Sequence, residues 1–496
     1  MLNRIFGLET EYGLLINSDD PDQSPSWLAH RIIDHIFEHN HQGILDQHYR
    51  GYDEPPGNGG FLLNAGRLYV DMGHLEFATP ECHTLADLIA QDRAGDQIIQ
   101  KALNELGLHD RISFIKNNID HETDATFGSH ENYLVSRHFP FTLNGLSKLI
   151  PFLVTRQIFT GSGRIGTAIN YDGWIPLEQF KSTEVSSHDQ EGRLKIPFQI
   201  SQRPDHIVND FFEWVQHNRA IINTRDEPLA DPNQFRRIHL LLGDSNMAEM
   251  ATALKMGTTG LVLQLIEDGH VPKELDFHDP VQVLRDISRD QSREWLVTLS
   301  NGKTLSAIDV QEEYLEAARA QYQGQDEETD WVLDQWESVL TDLRVDYTRV
   351  VGRVDWASKL WLLESFKEEE NLQWEDPWLR SLDLEYHNLN VTNGLYFGLQ
   401  EEGKTQRVTT DTAVDLAMHH PPRNTRAFGR GELVKHLIEK DWDQEEKSDS
   451  EPERRFPDYV INWSIFQLRG QPPFPMANPF KTYLQEVRTH LTEKES

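Results

Sequence analysis

Two stretches decide how this chain is read: GLETEYGL (residues 7–14) and GFLLNAGRLYVDMG (residues 60–73). In the first, Glu9 and Glu11 flank Thr10 within an apolar, strand-like run. Alternate residues of a strand point to one face, so the two carboxylates project together. Paired like charges repel and resist desolvation, so this face is either wet or built to meet a cation. The second stretch reads as a hairpin: an apolar strand, Asn64-Ala65-Gly66 as the turn, then a strand in which Arg67, Tyr69 and Asp71 alternate with Leu68 and Val70. Glu76 and Thr79 follow. If both strands share a sheet face, Glu9, Glu11, Tyr69, Asp71 and Glu76 converge on an oxygen-rich site suited to a hard cation such as Mg²⁺, with Arg67 placed to meet a phosphate. The alternative is the solvated face of an antiparallel sheet, and spacing alone leaves both open.

Outward from these strands the pattern is α+β. SWLAHRIIDHIFEH (26–39) has helical spacing, and HQGILDQHYRGYDEPPGNGG (41–60) carries a loop composition. In the helix that follows, Thr84 is the expected N-cap, Asp87 sits three residues on, and Gly107 is the stop. RISFIKNN (111–118) reads as a strand and DSNMAEMATALKMGTTGLVLQLIEDG (244–269) as a long central helix. Beyond residue 308 the pattern is mainly helical. Early strands and later helices predict a large antiparallel sheet backed by helices. Residues 1–420 form the expected main domain and 421–496 a small C-terminal one. The charged segment DWDQEEKSDSEPERR (441–455) is the expected exposed loop.

The 496 residues carry a formal net charge of −34, which repels nucleic-acid phosphate and anionic lipid over most of the surface. The chain has one cysteine, Cys82, so no internal disulfide can form. That fits a reducing compartment, and a buried apolar role for Cys82 rather than a nucleophile. No stretch approaches ~18 uninterrupted apolar residues, and the N-terminus lacks a signal-peptide pattern. The expectation is a cytoplasmic protein without membrane or nucleic-acid partners.

Other polar groups stand out. His130, Glu131 and Asn132 lie in GSHENYL (128–134), and Arg237 and His239 share a strand face in RRIHLLLG (236–243). An arginine beside a histidine suits a phosphate contact next to a metal contact; a surface salt-bridge network is the plain alternative. Arg426 and Arg430 in PPRNTRAFGRGE (421–432) fit anion binding, against ordinary solvated arginines. No phosphate-binding G-x-x-x-x-G-K-[ST] loop, C-x-x-C, H-E-x-x-H or G-x-S-x-G motif is present. A polyphosphate such as ATP held through Mg²⁺ on a sheet remains.

RIFGLETEYG (4–13), NAGRLYVD (64–71), KNNID (116–120), GSHENYL, LVTRQIFTGSGRIG (153–166), RRIHLLLGDSNMAE (236–249) and Trp463 together resemble the Pup ligase and depupylase family, whose members attach, deamidate or remove the ubiquitin-like protein Pup. The resemblance implies a glutamine synthetase-like carboxylate-amine ligase fold, a curved antiparallel sheet that cradles ATP and Mg²⁺ with a small C-terminal domain, and Pup and pupylated proteins as partners. By motif it implies Glu9, Tyr69 and Glu76 as Mg²⁺ ligands with Glu11 beside them, and His130 and His239 as further metal-site residues. Arg67, Thr79, Arg237 and Trp463 correspond to ATP contacts, and Asp71 to the catalytic aspartate. In a depupylase or deamidase, Asp71 would attack the amide carbon or activate water; in a ligase it would deprotonate the lysine that meets a glutamyl phosphate. DMGHLEF (71–77), where Glu76 follows Asp71 by five residues, together with FQISQR, GSGRIG, DWASKLWLLESF and ENLQW, resembles the depupylase branch; GLETEYG and FATPEC resemble ligases. The balance favours depupylase, with ligase as the alternative and a non-catalytic, nucleotide-loaded Pup-binding regulator as the third reading. The loop before the catalytic strand, HYRGYDEPPGNGG (48–60), is shorter than depupylases carry.

Overall fold

The alternation that opens the sequence is realised as strand β1 (Phe6–Ile16), with Phe6, Leu8, Thr10 and Tyr12 buried and Gly7, Glu9 and Glu11 half-buried. The structure is a computed structural model that describes residues 4–16, 24–47, 55–120, 125–166, 196–213, 219–445 and 459–492. Around β1 lie β2 (Gly43–Leu45), β3 (Gly59–Leu62), β4 (Arg67–Asp71), β5 (His74–Ala78), β6 (Ile112–Ile115), β7 (Ser129–Ser136), β8 (Asn209–Phe212), β9 (Ala220–Asn223) and β10 (Phe235–Leu240). They form one sheet in the order β8-β9-β10-β7-β1-β5-β4-β3-β2, with β6 pairing the far half of β1.

The sheet is mixed rather than wholly antiparallel, because β8 and β9 run parallel. Alternating burial looks the same in either direction, so the sequence pattern does not report it. Strand β2 is a second departure, since it lies in a stretch that reads as loop. It pairs with the glycine-rich β3, and a Cβ at Gly43 would fall 2.4 Å from the Phe61 carbonyl oxygen. Strands that need glycine for close approach lose the side-chain alternation that would announce them.

Helices cover one face. Helix α1 (Pro25–Asp34), capped by Ser24, continues through one wide turn at His35–His39. Helix α2 (Leu85–Glu105) begins at Thr84, whose hydroxyl accepts the Asp87 N–H, and Gly107 follows its end with φ +67°. Helix α3 (Glu249–Asp268) is buried along nearly its whole length. The apolar residues of β1, β4 and β5 pack beneath these helices, among them Tyr12, Leu68, Val70, Leu75 and Phe77 against Ile32, Ile98 and Ile99. Helix and sheet approach closely enough that a Cβ on Gly95 would meet the Phe77 ring at 2.2 Å. That burial turns the other face, with every polar residue singled out on β1, β4 and β5, away from the core.

Residues 441–445, expected as loop, complete helix α4 (Ala427–Glu445), and 446–455 lie outside the described residues. After α4, strands β11 (Tyr459–Ile461) and β12 (Ile465–Leu468) and helix α5 (Leu484–Thr492) build a small core from Leu433, Val434, Ile461, Phe466, Met476 and Val487. Ile44 and Phe61, from β2 and β3, are part of that same core. Among the described residues no helix is long and apolar enough to cross a membrane.

Candidate active site

Sheet register assembles the site. On β1, Glu9 pairs with His130 of β7 and Glu11 with Glu76 of β5. On the flanking strands, Tyr69 pairs with Glu76, and His239 with Asn132. One polar face therefore runs from β10 to β4 without interruption. Two groups of potential ligand atoms stand on it, each with its atoms within 4.8 Å of one another: Glu9, His130 and His239, and Glu11, Asp71 and Glu76.

In the second group the Tyr69 hydroxyl donates to Glu76, whose side chain is buried. Burial, then the charges of Glu11, Glu9 and Asp71, push the Glu76 carboxyl well above its usual range. Burial and the facing glutamates raise the Tyr69 hydroxyl as well. A carboxylate set that resists ionisation together, with a phenol oxygen beside it, is a donor set a hard divalent cation would relieve. Arg67 stacks over the Tyr69 ring at 4.2 Å and lies 3.9 Å from Asp46. The two-residue turn Met72-Gly73, both with positive φ, joins β4 to β5 and leaves Asp71 opposite His74.

In the first group Glu9 is surrounded by donors. Asn132 Nδ2 donates to Oε1 at 3.1 Å, His130 Nδ1 lies 3.3 Å and His239 Nε2 3.5 Å from Oε2, and Arg237 Nη1 is 3.9 Å from Oε1. Burial opposes its charge, but the two histidines outweigh that and hold the Glu9 carboxyl well below the usual carboxylate range. Burial, reinforced by Arg237, lowers His239 to about 4, so its imidazole is neutral at neutral pH. Asn223 Oδ1 accepts the Arg225 N–H, which turns its Nδ2 toward His239 Nδ1 at 3.2 Å. This arrangement leaves the proton on Nε2, so ligation through Nε2 requires the Asn223 amide to turn over. Both groups fit Mg²⁺ by the chemistry of their donors: three carboxylates in one, and a carboxylate with two imidazoles in the other.

A cleft of about 540 Å³ opens beside the Glu9 end, walled by Gly7, Thr79, Asn132, Arg237, Arg426 and Trp463. Four side chains expected at a nucleotide are thus brought together: Thr79, Arg237, Trp463 and Arg426. Thr79 Oγ1 also accepts the Leu8 N–H at 3.0 Å. Arg67 and Arg430 do not line this cleft. Arg430 is fully buried behind Trp463, and its guanidinium is taken up by Glu81 and the Ala65 and Trp463 carbonyls. It therefore differs from the anion contact expected of it, because packing against Phe61 and Trp463 removes it from solvent. Glu131 leaves the site altogether: the strand pleat turns it to the helix face, where it pairs with Arg156 and accepts from Tyr133. Cys82 is buried with its thiol pushed up by burial, which excludes a thiolate nucleophile.

Sequence reasoning missed Asn223, Gly128 and Glu81. A Cβ at Gly128 would stand 2.5 Å from both Glu11 Oε1 and His130 Nε2, so only glycine keeps the space between the two groups open. Asn223 is visible only through its register with His239.

The Pup-ligase protein family profile matches residues 4–445. The chain belongs to the Pup ligase family. It is 36% identical to a depupylase from Acidothermus cellulolyticus, over 87% of this chain and 88% of that one. It is 35% identical to a Pup–protein ligase from an Arthrobacter species, over 98% of both chains. Two solved structures of the Pup ligase PafA are similar throughout. The complex with Pup gives a TM-score of 0.80 at 31% identity, covering 99% of this chain and 91% of that one. The complex with ADP gives 0.73 at 32%, covering 98% and 96%. The fold is thus the carboxylate-amine ligase fold that the resemblance implied.

Proposed function

We propose that this chain is an ATP-dependent Pup ligase, joining the C-terminal glutamate of Pup to a lysine of a target protein. The observation that carries the reading is a single polar sheet face. On it the Glu11–Asp71–Glu76 group stands beside the Glu9 group, next to a cleft walled by Arg237 and Arg426. Its support from relatives is the Pup–protein ligase aligned over 98% of both chains, and the PafA structures with Pup and with ADP.

The lean of the sequence toward depupylase rests partly on the spacing from Asp71 to Glu76. In the structure that spacing is the length of the Met72-Gly73 turn, which joins β4 to β5 with Asp71 opposite His74 and Tyr69 opposite Glu76. The depupylase/deamidase reading stands second, favoured by the relative from Acidothermus.

In the ligase, arginines of the cleft would hold the nucleotide while the Pup carboxylate oxygen attacks the γ-phosphorus. The bond from that phosphorus to the bridging oxygen breaks, and ADP leaves. The target amine, deprotonated by Asp71, then forms the C–N bond as phosphate departs. Glu9, Glu11, Tyr69, Glu76, His130 and His239 would hold Mg²⁺. The ion offsets phosphate charge that this carboxylate-rich face would otherwise repel. The Tyr69 hydroxyl holds Glu76 in place, and Asn132 with Arg237 orients Glu9. We place the enzyme in the cytoplasm, with residues 1–420 as the catalytic unit and 421–496 as the smaller one.

Incubation with ATP, Mg²⁺, glutamate-ending Pup and a lysine-bearing acceptor protein should give a conjugate equal in mass to the two proteins less one water. No conjugate, with ammonia released from glutamine-ending Pup, would replace the ligase by the deamidase reading.

A further inference from the structure

Glu81, three residues beyond β5, takes no part in the chemistry above, yet it is nearly buried between two arginines of the C-terminal unit. Arg426 Nε donates to Oε1 at 2.6 Å, and Arg430, one helical turn later, donates to both oxygens. Burial opposes the charge, but the two guanidiniums outweigh it and hold Glu81 at about 2. The same guanidiniums reach further. Arg430 donates to the Ala65 carbonyl at the tip of the β3–β4 hairpin and to the Trp463 carbonyl at 3.0 Å, and it lies 4.8 Å from the Trp463 ring. Arg426 Nη1 donates to the Met476 carbonyl, and the Thr425 hydroxyl to the Glu81 carbonyl. One carboxylate therefore ties the sheet to the hairpin tip and to separate stretches of the C-terminal unit. Two of the residues so held, Arg426 and Trp463, line the cleft together with Glu81 itself and with Thr79, two residues before Glu81.

We propose that Glu81 is a positioning residue that sets the C-terminal wall of the nucleotide cleft, holding Arg426 directly and Trp463 through Arg430. The proposal rests on the reading of the cleft as the nucleotide site. A purely structural ion pair need not connect to the cleft, whereas Glu81 itself lines the cleft and binds Arg426, a second lining residue, while Arg430 ties it to a third, Trp463. The pair of arginines also leaves the cluster one positive charge in excess, which favours an anion in the adjoining cleft.

The test is Glu81→Asp, which keeps the charge but is one methylene too short to serve both guanidiniums, with Arg430→Lys as a second variant that keeps a cation for Glu81 and loses the fork. Binding of Mg²⁺–ADP is measured by calorimetry, and conjugation is measured against ATP concentration. The expected result is a dissociation constant and a KM for ATP raised about tenfold, one lost bidentate contact, with kcat at saturating ATP within twofold. Should Glu81→Asp not fold, Arg430→Lys decides. Nucleotide binding unchanged in a folded variant, or kcat falling with KM unchanged, overturns the proposal. Absence of ADP binding by the wild-type protein would instead overturn the nucleotide reading itself.

Discussion

Removing one carboxylate from the Glu11–Asp71–Glu76 group should stabilise the metal-free protein and weaken its response to Mg²⁺. The ligand atoms lie within 4.8 Å of one another. Two unit charges at that distance repel by about 3.5 kcal/mol at an effective dielectric of about 20. Glu11 and Asp71 are half-exposed, and screening cuts this to about 1 kcal/mol per pair. Glu76→Gln keeps an acceptor for the Tyr69 hydroxyl and removes two such pairs, a gain of about 2 kcal/mol. Unfolding entropy of about 2.1 cal/mol/K per residue gives about 1 kcal/mol/K for this chain, so Tm in chelator should rise by about 2 °C. In the wild-type protein, Mg²⁺ at about 100 times its Kd should stabilise by about 2.7 kcal/mol, or about 3 °C.

The pH dependence carries a definite sign. Glu76 has a folded pKa raised above the usual 4.5, so the folded state binds more protons than the unfolded state over the interval between the two. Stability of the metal-free protein must then fall as pH rises from about 4.5 through the folded value, and saturating Mg²⁺ should remove that fall. Scanning calorimetry with chelator and with Mg²⁺, across pH, measures all of this. A wild-type Tm indifferent to Mg²⁺, or an equal Mg²⁺ shift in Glu76→Gln, would refute the reasoning.

Asp71→Asn should abolish conjugation while Mg²⁺–ADP still binds, read by turnover and calorimetry; full turnover would remove Asp71 from the mechanism. Gly128→Ala should lose the Mg²⁺-dependent Tm shift, because its methyl would stand 2.5 Å from Glu11 Oε1 and His130 Nε2; an undiminished shift would show that the two groups do not need that space. Glu131→Gln should lower stability by about 3–5 kcal/mol in denaturant titration, since it strands the fully buried Arg156, and a loss under about 1 kcal/mol would show that Arg156 finds another partner.

The polar face was legible because strand periodicity is local. Glu9 with Glu11, and Arg67 with Tyr69 and Asp71, declare a shared side by spacing alone, and the apolar residues between them declare the buried side. The same pattern located the first strand, the hairpin, α2 with its Thr84 cap, and the central helix α3. It did not reveal strand β2, whose glycines carry no alternation, or the parallel run of β8 and β9, which alternation cannot distinguish. Glu131 shows the converse: it stands beside His130 in sequence and on the opposite side of the sheet in space. The arginines of residues 421–432 looked like one anion-binding pair, but Arg426 reaches the cleft while Arg430 is enclosed behind Trp463.

The sequence by itself determined that two strands carry carboxylates on one face, that helices follow to back them, and that the motifs are those of the Pup ligase family. Only the tertiary structure decided which carboxylates stand together, since that depends on register between strands far apart in the chain: Glu11 opposite Glu76, Glu9 opposite His130, Asn223 opposite His239. It also decided that Glu81 belongs with Arg426 and Arg430, some 345 residues away. Periodicity fixes the side to which a residue points, whereas the energy of a buried charge depends on what the rest of the chain brings against it.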